Sequence, residues 1–343
     1  MLLVGGDPAL DRHDVGGGHP ERPPRVAAAL AGIDEAGLRD AVVALEPRRA
    51  GEDELMRVHP APYLEALRAF CEAGGGHLDP DTVAAPGSWD TALLAAGAAL
   101  AAVDGLAAGR GDVAFVAARP PGHHALADQS MGFCLLNNVA VAAASLTARG
   151  EKVLIVDWDV HHGNGTQAIF WDDPDVLYVS THEWPLYPGS GRVEETGGPA
   201  APGLTVNVPV PAGATGNVLC HAFDDVVAPV VERFAPTWVL VSAGFDAHRA
   251  DPLADLALTA GDFADLARRV RSFAPSAGRT AVLLEGGYDL DALRRSVGAT
   301  LAALVDADYR PEEASSGGPG AAAVEAALRV HVPEIADGGE AAR

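Results

Sequence analysis

The chain has 343 residues, 48% of them hydrophobic, and a formal charge of −23. That is enough apolar material for a large core, in one big domain or two ordinary ones. A strongly acidic chain with no basic run is a poor partner for nucleic acid or an anionic membrane, because phosphate binding needs clustered Lys and Arg.

The N-terminus lacks a basic stretch and a long apolar run, so it does not read as a signal peptide. The longest apolar run, 92–103, is interrupted by Gly97 and is too short to span a bilayer; it reads as a buried Ala-rich helix. Strands are predicted at 113–116, 153–157, 176–180, 205–208, 238–242 and 280–284. Between them, apolar residues at three- and four-residue spacing predict helices over 216–234, 260–273 and 291–305. Strands alternating with helices imply one α/β domain over 1–310, a mostly parallel sheet with helices on both faces. Residues 311–320 are linker-like, a short helix is expected at 321–330, and the polar end should fray. Cys71, Cys134 and Cys220 are far apart, with no C-x-x-C pair, so neither a disulfide framework nor a thiolate zinc site is indicated. A cytoplasmic location is expected.

The polar clusters fall at the carboxyl ends of the predicted strands, where open parallel sheets hold their ligands. Arg119-Pro120-Pro121-Gly122-His123-His124 follows the first. Asp157 to Gly165, Ser180-Thr181-His182, Gly244 to His248 and Glu285 to Tyr288 follow others. In an extended chain Asp157, Asp159 and His161 share one side. Such a set is costly to bury unless a cation or a hydrogen-bond network satisfies it. A carboxylate–imidazole set suits zinc or a harder divalent ion. A capping role accounts for one aspartate, less readily for D-x-D-x-H-H. Asp246 is the best third ligand; Asp173, Asp175, Asp224 and Asp225 read as surface or capping groups. His123 and His124 follow a rigid turn and suit either ligation or proton transfer, the second being more economical once three ligands are assigned. Tyr288 sits where it can donate to a developing oxyanion. No G-x-S-x-G elbow or Cys–His context points to an acyl-enzyme.

Together RPPGHHA, DWDVHHGNGT, SAGFDAH and EGGYDL, with HPERPPR (19–25) and MGFCLLNNVA (131–140), resemble the zinc-dependent histone deacetylase family, which has the arginase–deacetylase fold. The likeness covers roughly residues 1–310. It is strongest to the class II branch and its bacterial amidohydrolase, acetylpolyamine and acetoin-utilisation relatives. The resemblance implies zinc on Asp159, His161 and Asp246. It makes His124, held by Asn164, the main general base and acid, with His123 as its partner, paired to Asp157. Tyr288 becomes the oxyanion donor. Gly132 and Phe133 would wall an acyl-lysine tunnel, with Tyr187 opposite. A structural potassium would use Asp157 and carbonyls near Asp159, His161, Ser180 and Thr181; a second would use carbonyls near Phe170, Asp173 and Val176. Arg22 would sit by an internal channel for acetate release.

The implied reaction is hydrolysis of an N-acyl, chiefly acetyl, amide on a lysine side chain. The alternative is an acetylpolyamine or another small acetylated amine. Leu253 occupies a mouth position that is glutamate in the polyamine-selective relative, which argues against polyamines. Asp81 is the candidate rim carboxylate, with Asp79 as alternative; His13, Asp14 and Gly16 to Gly18 would border the mouth. Asn164 is neutral where some relatives have aspartate, so its pull on the His124 pKa should be weaker. An arginase-like enzyme would need two metals, and an inactive binding module would lack a ligand or the tyrosine. A homo-oligomer is left open.

Overall fold

A computed structural model describes residues 1–6 and 8–333. Its strands in chain order are β1 (Leu2–Gly5), β2 (Val42–Ala44), β3 (Gly76–His77), β4 (Val83–Ala84), β5 (Val113–Val116), β6 (Val153–Asp157), β7 (Val176–Glu183), β8 (Thr205–Val210), β9 (Trp238–Ala243) and β10 (Thr280–Leu284). β3 and β4 form a small antiparallel pair. The other eight make one parallel sheet in the order β2-β1-β5-β10-β9-β6-β7-β8. Every residue of β5, β6, β7, β9 and β10 is buried. Burial on both faces explains why these strands read as continuous apolar runs rather than alternating ones.

Two helical layers cover the sheet. Ser88–Ala107 and Asn138–Thr147 pack together on one side, against β5, β6 and β9 among others. Pro24–Glu35, Ala260–Phe273 and Leu290–Leu304 pack in a row as the other. The predicted 92–103 segment is the middle of a 20-residue helix, long and apolar enough to cross a membrane, but 67% of its most apolar window is buried inside the protein. It is a core helix.

The chain order explains where the site lies. From β5 the chain passes over two strand positions to β6, works outward to β8, and returns to fill the gap with β9 and β10. The carboxyl ends of β5, β10, β9 and β6 are therefore adjacent, although Val116 and Leu284, which end β5 and β10, are 168 positions apart.

Three local expectations need correction. β7 runs on to Glu183, so Ser180, Thr181 and His182 lie inside the strand, paired with Asn207, Val208 and Pro209 of β8. The helix expected over 216–234 is Gly216–Ala222 and Ala228–Phe234 joined by a π turn at Phe223–Val227. Pro229 lacks the N–H for a regular bond to the turn before it, which accounts for the change of pitch. Residues 311–320 look like a linker by composition but are tied down. Glu312 bonds His248 and the Ala260 N–H, Glu313 accepts from Thr259, and Ser315 bonds Asp262. The helix after them, Ala321–His331, packs on β8 and on Gly216–Ala222. The polar end expected to fray, 334–343, lies outside the described residues.

Helices Pro24–Glu35 and Leu290–Leu304 cross where Gly32 meets Gly298. A Cβ on Gly32 would lie 2.2 Å from the Arg294 carbonyl oxygen and 3.0 Å from the Gly298 nitrogen. Backbone cannot yield as a side chain can, so Gly32→Val should cost about 1–3 kcal/mol by overpacking. Thermal unfolding would show it as a lowered Tm; an unchanged Tm would mean the crossing is not tight.

Candidate active site

β6 ends at Asp157, and the next residues bend rather than continue the strand. Two side-chain-to-backbone bonds shape the bend: the Asp159 N–H donates to Asp157 Oδ1 (3.1 Å) and the His161 N–H to Asp159 Oδ1 (2.9 Å). Trp158 and Val160 stay in the core. Asp246, just past β9, accepts the Val160 N–H at Oδ1 (3.0 Å). His161 Nδ1 then lies 3.1 Å from Asp159 Oδ1 and 3.2 Å from Asp246 Oδ2. One ligand atom from each of Asp159, His161 and Asp246 falls within 4.8 Å of the others, and all three residues are buried. Among the described residues Asp246 Oδ2 has no hydrogen-bond partner. Burial lowers the His161 pKa, but Asp159 and Asp246 outweigh it and hold it up at about 10. The set is thus starved of positive charge, and an N/O donor trio of this kind fits a divalent metal.

The two adjacent histidines have different partners. His123 Nδ1 meets Asp157 Oδ2 at 3.0 Å, and Nε2 lies 3.8 Å from Asp159. Burial disfavours its charge, yet these carboxylates overcome that and raise its pKa to about 10. His124 Nδ1 meets Asn164 Oδ1 at 2.8 Å, and the Asn164 amide points its N–H at Met131 Sδ. Burial, then the positive charges of His123 and His161, hold the His124 pKa well below the usual range. The surroundings thus favour charge on His123 and disfavour it on His124. Glu285, whose role the sequence did not suggest, fixes the turn that carries both. Its Oε2 accepts the Gly122 and His123 N–H groups (2.6 and 3.1 Å), and burial raises its pKa to about 7.

One cleft joins these groups to solvent. It is lined by Asp81, His124, Gly132, Phe133, His161, Leu186, Tyr187, Leu253 and Tyr288. All but Leu186 were singled out in the sequence. Gly132 (φ +55°) sits so close that a Cβ would be 2.4 Å from His124 Cδ2. Phe133 also has a positive φ of 67°, unusual for a bulky residue; its N–H is held by the Thr82 hydroxyl. Phe133 meets the Tyr288 ring edge-on at 5.9 Å, and Tyr187 meets His124 at 5.1 Å. Tyr288 is 7% exposed, and burial raises its pKa well above the usual value, so it is a donor.

Some assignments change. Asp81 lines the cleft, while Asp79 Oδ1 accepts the Asp81 and Thr82 N–H groups and so builds the turn. His13 is not at the mouth: it is 1% exposed, bonded to Ser88, and burial lowers its pKa to about 4. Arg22 is exposed. The inward arginine is Arg25, which donates to the Gly287 and Glu285 carbonyls and lies over the Tyr288 ring. Thr181 Oγ1 is buried with no partner among the described residues, and Ser180 Oγ bonds His182. Phe170 and Asp173 lie in the turn leading into β7, whose first residue is Val176, and their carbonyls accept backbone bonds. Asp224 pairs with Arg269 on the surface.

Comparison with known proteins agrees with this geometry. The family model described as "Histone deacetylase domain" matches residues 19–304. A "Histone deacetylase-like amidohydrolase" of Pseudomonas aeruginosa is 42% identical over 276 residues, 79% of this chain and 73% of that one. A "Probable deacetylase" of Archaeoglobus fulgidus is 40% identical over 285 residues, 82% of this chain and 79% of that one. The crystal structure of the HDA15 HD domain superposes with a TM-score of 0.91 at 34% identity, covering 100% of this chain and 99% of that one. With its parallel sheet, its convergent strand ends and these likenesses, the chain belongs to the histone deacetylase family.

Proposed function

We propose that the protein hydrolyses the N-acetyl amide of a lysine side chain, releasing acetate and the free amine, with one zinc ion held by Asp159, His161 and Asp246. The observation that carries this reading is the cleft itself. It runs from exposed Tyr187 and Asp81, past apolar Leu253 and Phe133, to His124, His161 and Tyr288. The apolar lining suits a long aliphatic stem, and the same cleft gathers the groups that amide hydrolysis needs. When bound, zinc would polarise the acyl carbonyl and make the attacking water more acidic.

The chain's own residues do the rest. His124, neutral and held by Asn164, takes the proton of the attacking water and delivers it to the departing amine. His123, charged beside Asp157, keeps positive charge next to the reacting centre. The Tyr288 hydroxyl donates to the oxygen on which negative charge develops. Phe133, Tyr187 and Leu253 exclude water along the stem, and Asp81 stands at the mouth for the substrate backbone. Leu253, with no charge for a second cation, favours lysine over a polyamine. The same reading places a structural potassium at Asp157 and the carbonyls near Asp159, His161, Ser180 and Thr181. The unpartnered Thr181 hydroxyl supports a cation there. A second would lie at the carbonyls near Phe170, Asp173 and Val176.

Tyr288→Phe should lower kcat by roughly 10²–10³-fold, the loss seen on removing one oxyanion donor, with metal content unchanged. His124→Ala should lose about 10²–10⁴-fold by removing the proton carrier. Wild-type turnover in either variant would remove that residue from the reaction. Elemental analysis of the purified chain should find one zinc per molecule. Asp246→Asn should bring that figure close to zero in a protein that still folds by circular dichroism; full zinc in this variant would place the ion elsewhere. Among acetyl-lysine peptides, acetylpolyamines and acetylated small amines, the peptides should be turned over fastest. A preference for acetylpolyamines would reverse the substrate assignment.

A further inference from the structure

Tyr288 follows two glycines and precedes Asp289, the N-cap of helix Leu290–Leu304. Gly287 has a φ of +115°. A Gly-Gly segment has no side chains to hold it and costs the most to order. The loop is nevertheless fixed from two sides. On the carbonyl side, Arg25 donates to Glu285 and Gly287. On the N–H side stands Asp251, a residue the chemistry described above does not use.

Asp251 is 7% exposed and lies in the segment between Asp246 and Leu253. Its Oδ2 accepts the Tyr288 N–H at 2.6 Å and the Asp289 N–H at 3.2 Å. Its Oδ1 accepts the Leu253 N–H at 3.1 Å. Among the described residues the Tyr288 N–H has no other acceptor. The segment that carries Asp251 is anchored: the Asp251 N–H donates to the His248 carbonyl, the Arg249 N–H to the Leu258 carbonyl, and the Leu258 N–H to the Ala247 carbonyl. A single buried carboxylate thus joins three functional positions, the segment after Asp246, the mouth residue Leu253 and the backbone of Tyr288.

We propose that Asp251 is a positioning residue for the reaction, holding the Tyr288 backbone so that the hydroxyl reaches the reacting carbonyl. This rests on the role given to Tyr288 above. Hydrogen bonds from backbone N–H groups to a buried carboxylate are among the stronger ones. A donor misplaced by about 1 Å loses much of its effect on a reaction. Replacing the carboxylate by an amide turns one acceptor oxygen into an NH2 group that faces N–H groups, so at least one of the three bonds must break. Phe133 in the stem-binding wall and the ligand Asp246 keep their own supports, the Thr82 and Val160 bonds, and an amide with its oxygen at the Oδ1 position keeps the Leu253 bond. The defect should therefore fall on the chemical step.

The test is a double-mutant cycle on an acetyl-lysine peptide with the zinc-loaded full chain. Asp251→Asn should lower kcat at least tenfold, with KM within twofold and zinc content unchanged. In the Tyr288→Phe background the same substitution should change kcat by less than twofold, since the hydroxyl it positions is gone. A further loss in that background equal to the loss in the wild type would overturn the proposal, as would wild-type kcat or loss of zinc in Asp251→Asn alone. If the amide fails to fold, Asp251→Ser, which leaves room for a water, carries the same cycle. Full activity in Tyr288→Phe alone would instead defeat the role of the tyrosine, a distinct outcome.

Discussion

The site depends on how two buried carboxylates are accommodated side by side. Asp159 and Asp246 are both fully buried beside one imidazole. Burying an ion is expensive unless hydrogen bonds or an opposite charge offset it. The chain supplies the hydrogen bonds from its backbone: Asp159 accepts from His161 and Gly286, and Asp246 from Val160. Those donors come from the ends of β6 and β10, so the strand ends must converge closely. Gly286 makes this possible, since a Cβ there would lie 1.9 Å from Asp246 Oδ2. Gly244 does the same on the other side, 2.0 Å from Asp159 Oδ2. What the backbone leaves open, Asp246 Oδ2, faces the centre of the trio, where a cation would complete it.

That arrangement also separates the two adjacent histidines. Their rings are 4.0 Å apart, so both cannot readily be charged. Asp157 takes the charge to His123, and Asn164, which brings no charge, leaves His124 neutral. Environments that push neighbouring titratable groups apart define which one moves a proton. Here the division comes from the second partner of each ring rather than from the rings themselves. Tyr178 extends the same network by donating to Asp157 Oδ2 at 3.2 Å.

The groups that the proposed reaction uses could be picked out in the sequence because each is set by short-range spacing. D-x-D-x-H and the turn before His123-His124 carry their geometry with them, and each follows a buried strand. The supporting groups were not legible, because their partners are distant in the chain. Glu285 holds Gly122 across 163 positions, and Asp251 holds Tyr288 across 37. Neither has a spacing that marks it. Arg22 and Arg25 illustrate a different limit. Both lie in one basic, proline-rich stretch, and nothing local says which turns inward. The helix beginning at Pro24 decides it, by placing Arg25 on the face toward the Gly-Gly loop. The sheet was read in outline, but β1 and β2, four and three residues long on one side of the sheet, were missed.

The same contrast separates chemistry from selectivity. Around the three candidate ligands the polar side chains are tied to backbone at several strand ends, and a change there is felt at more than one of them. At the mouth the constraints thin out. Tyr187 is 38% exposed, Leu186 and Leu253 are half-buried, and Asp81 lies on a short turn built by Asp79. Loops of this kind tolerate substitution because little else depends on them. Leu253 is the exception: its backbone is tied through Asp251 to Tyr288. A change of side chain at Leu253 would alter what enters the cleft. A change of its backbone would also disturb the tyrosine at the bottom, so this one position couples the choice of substrate to the reaction.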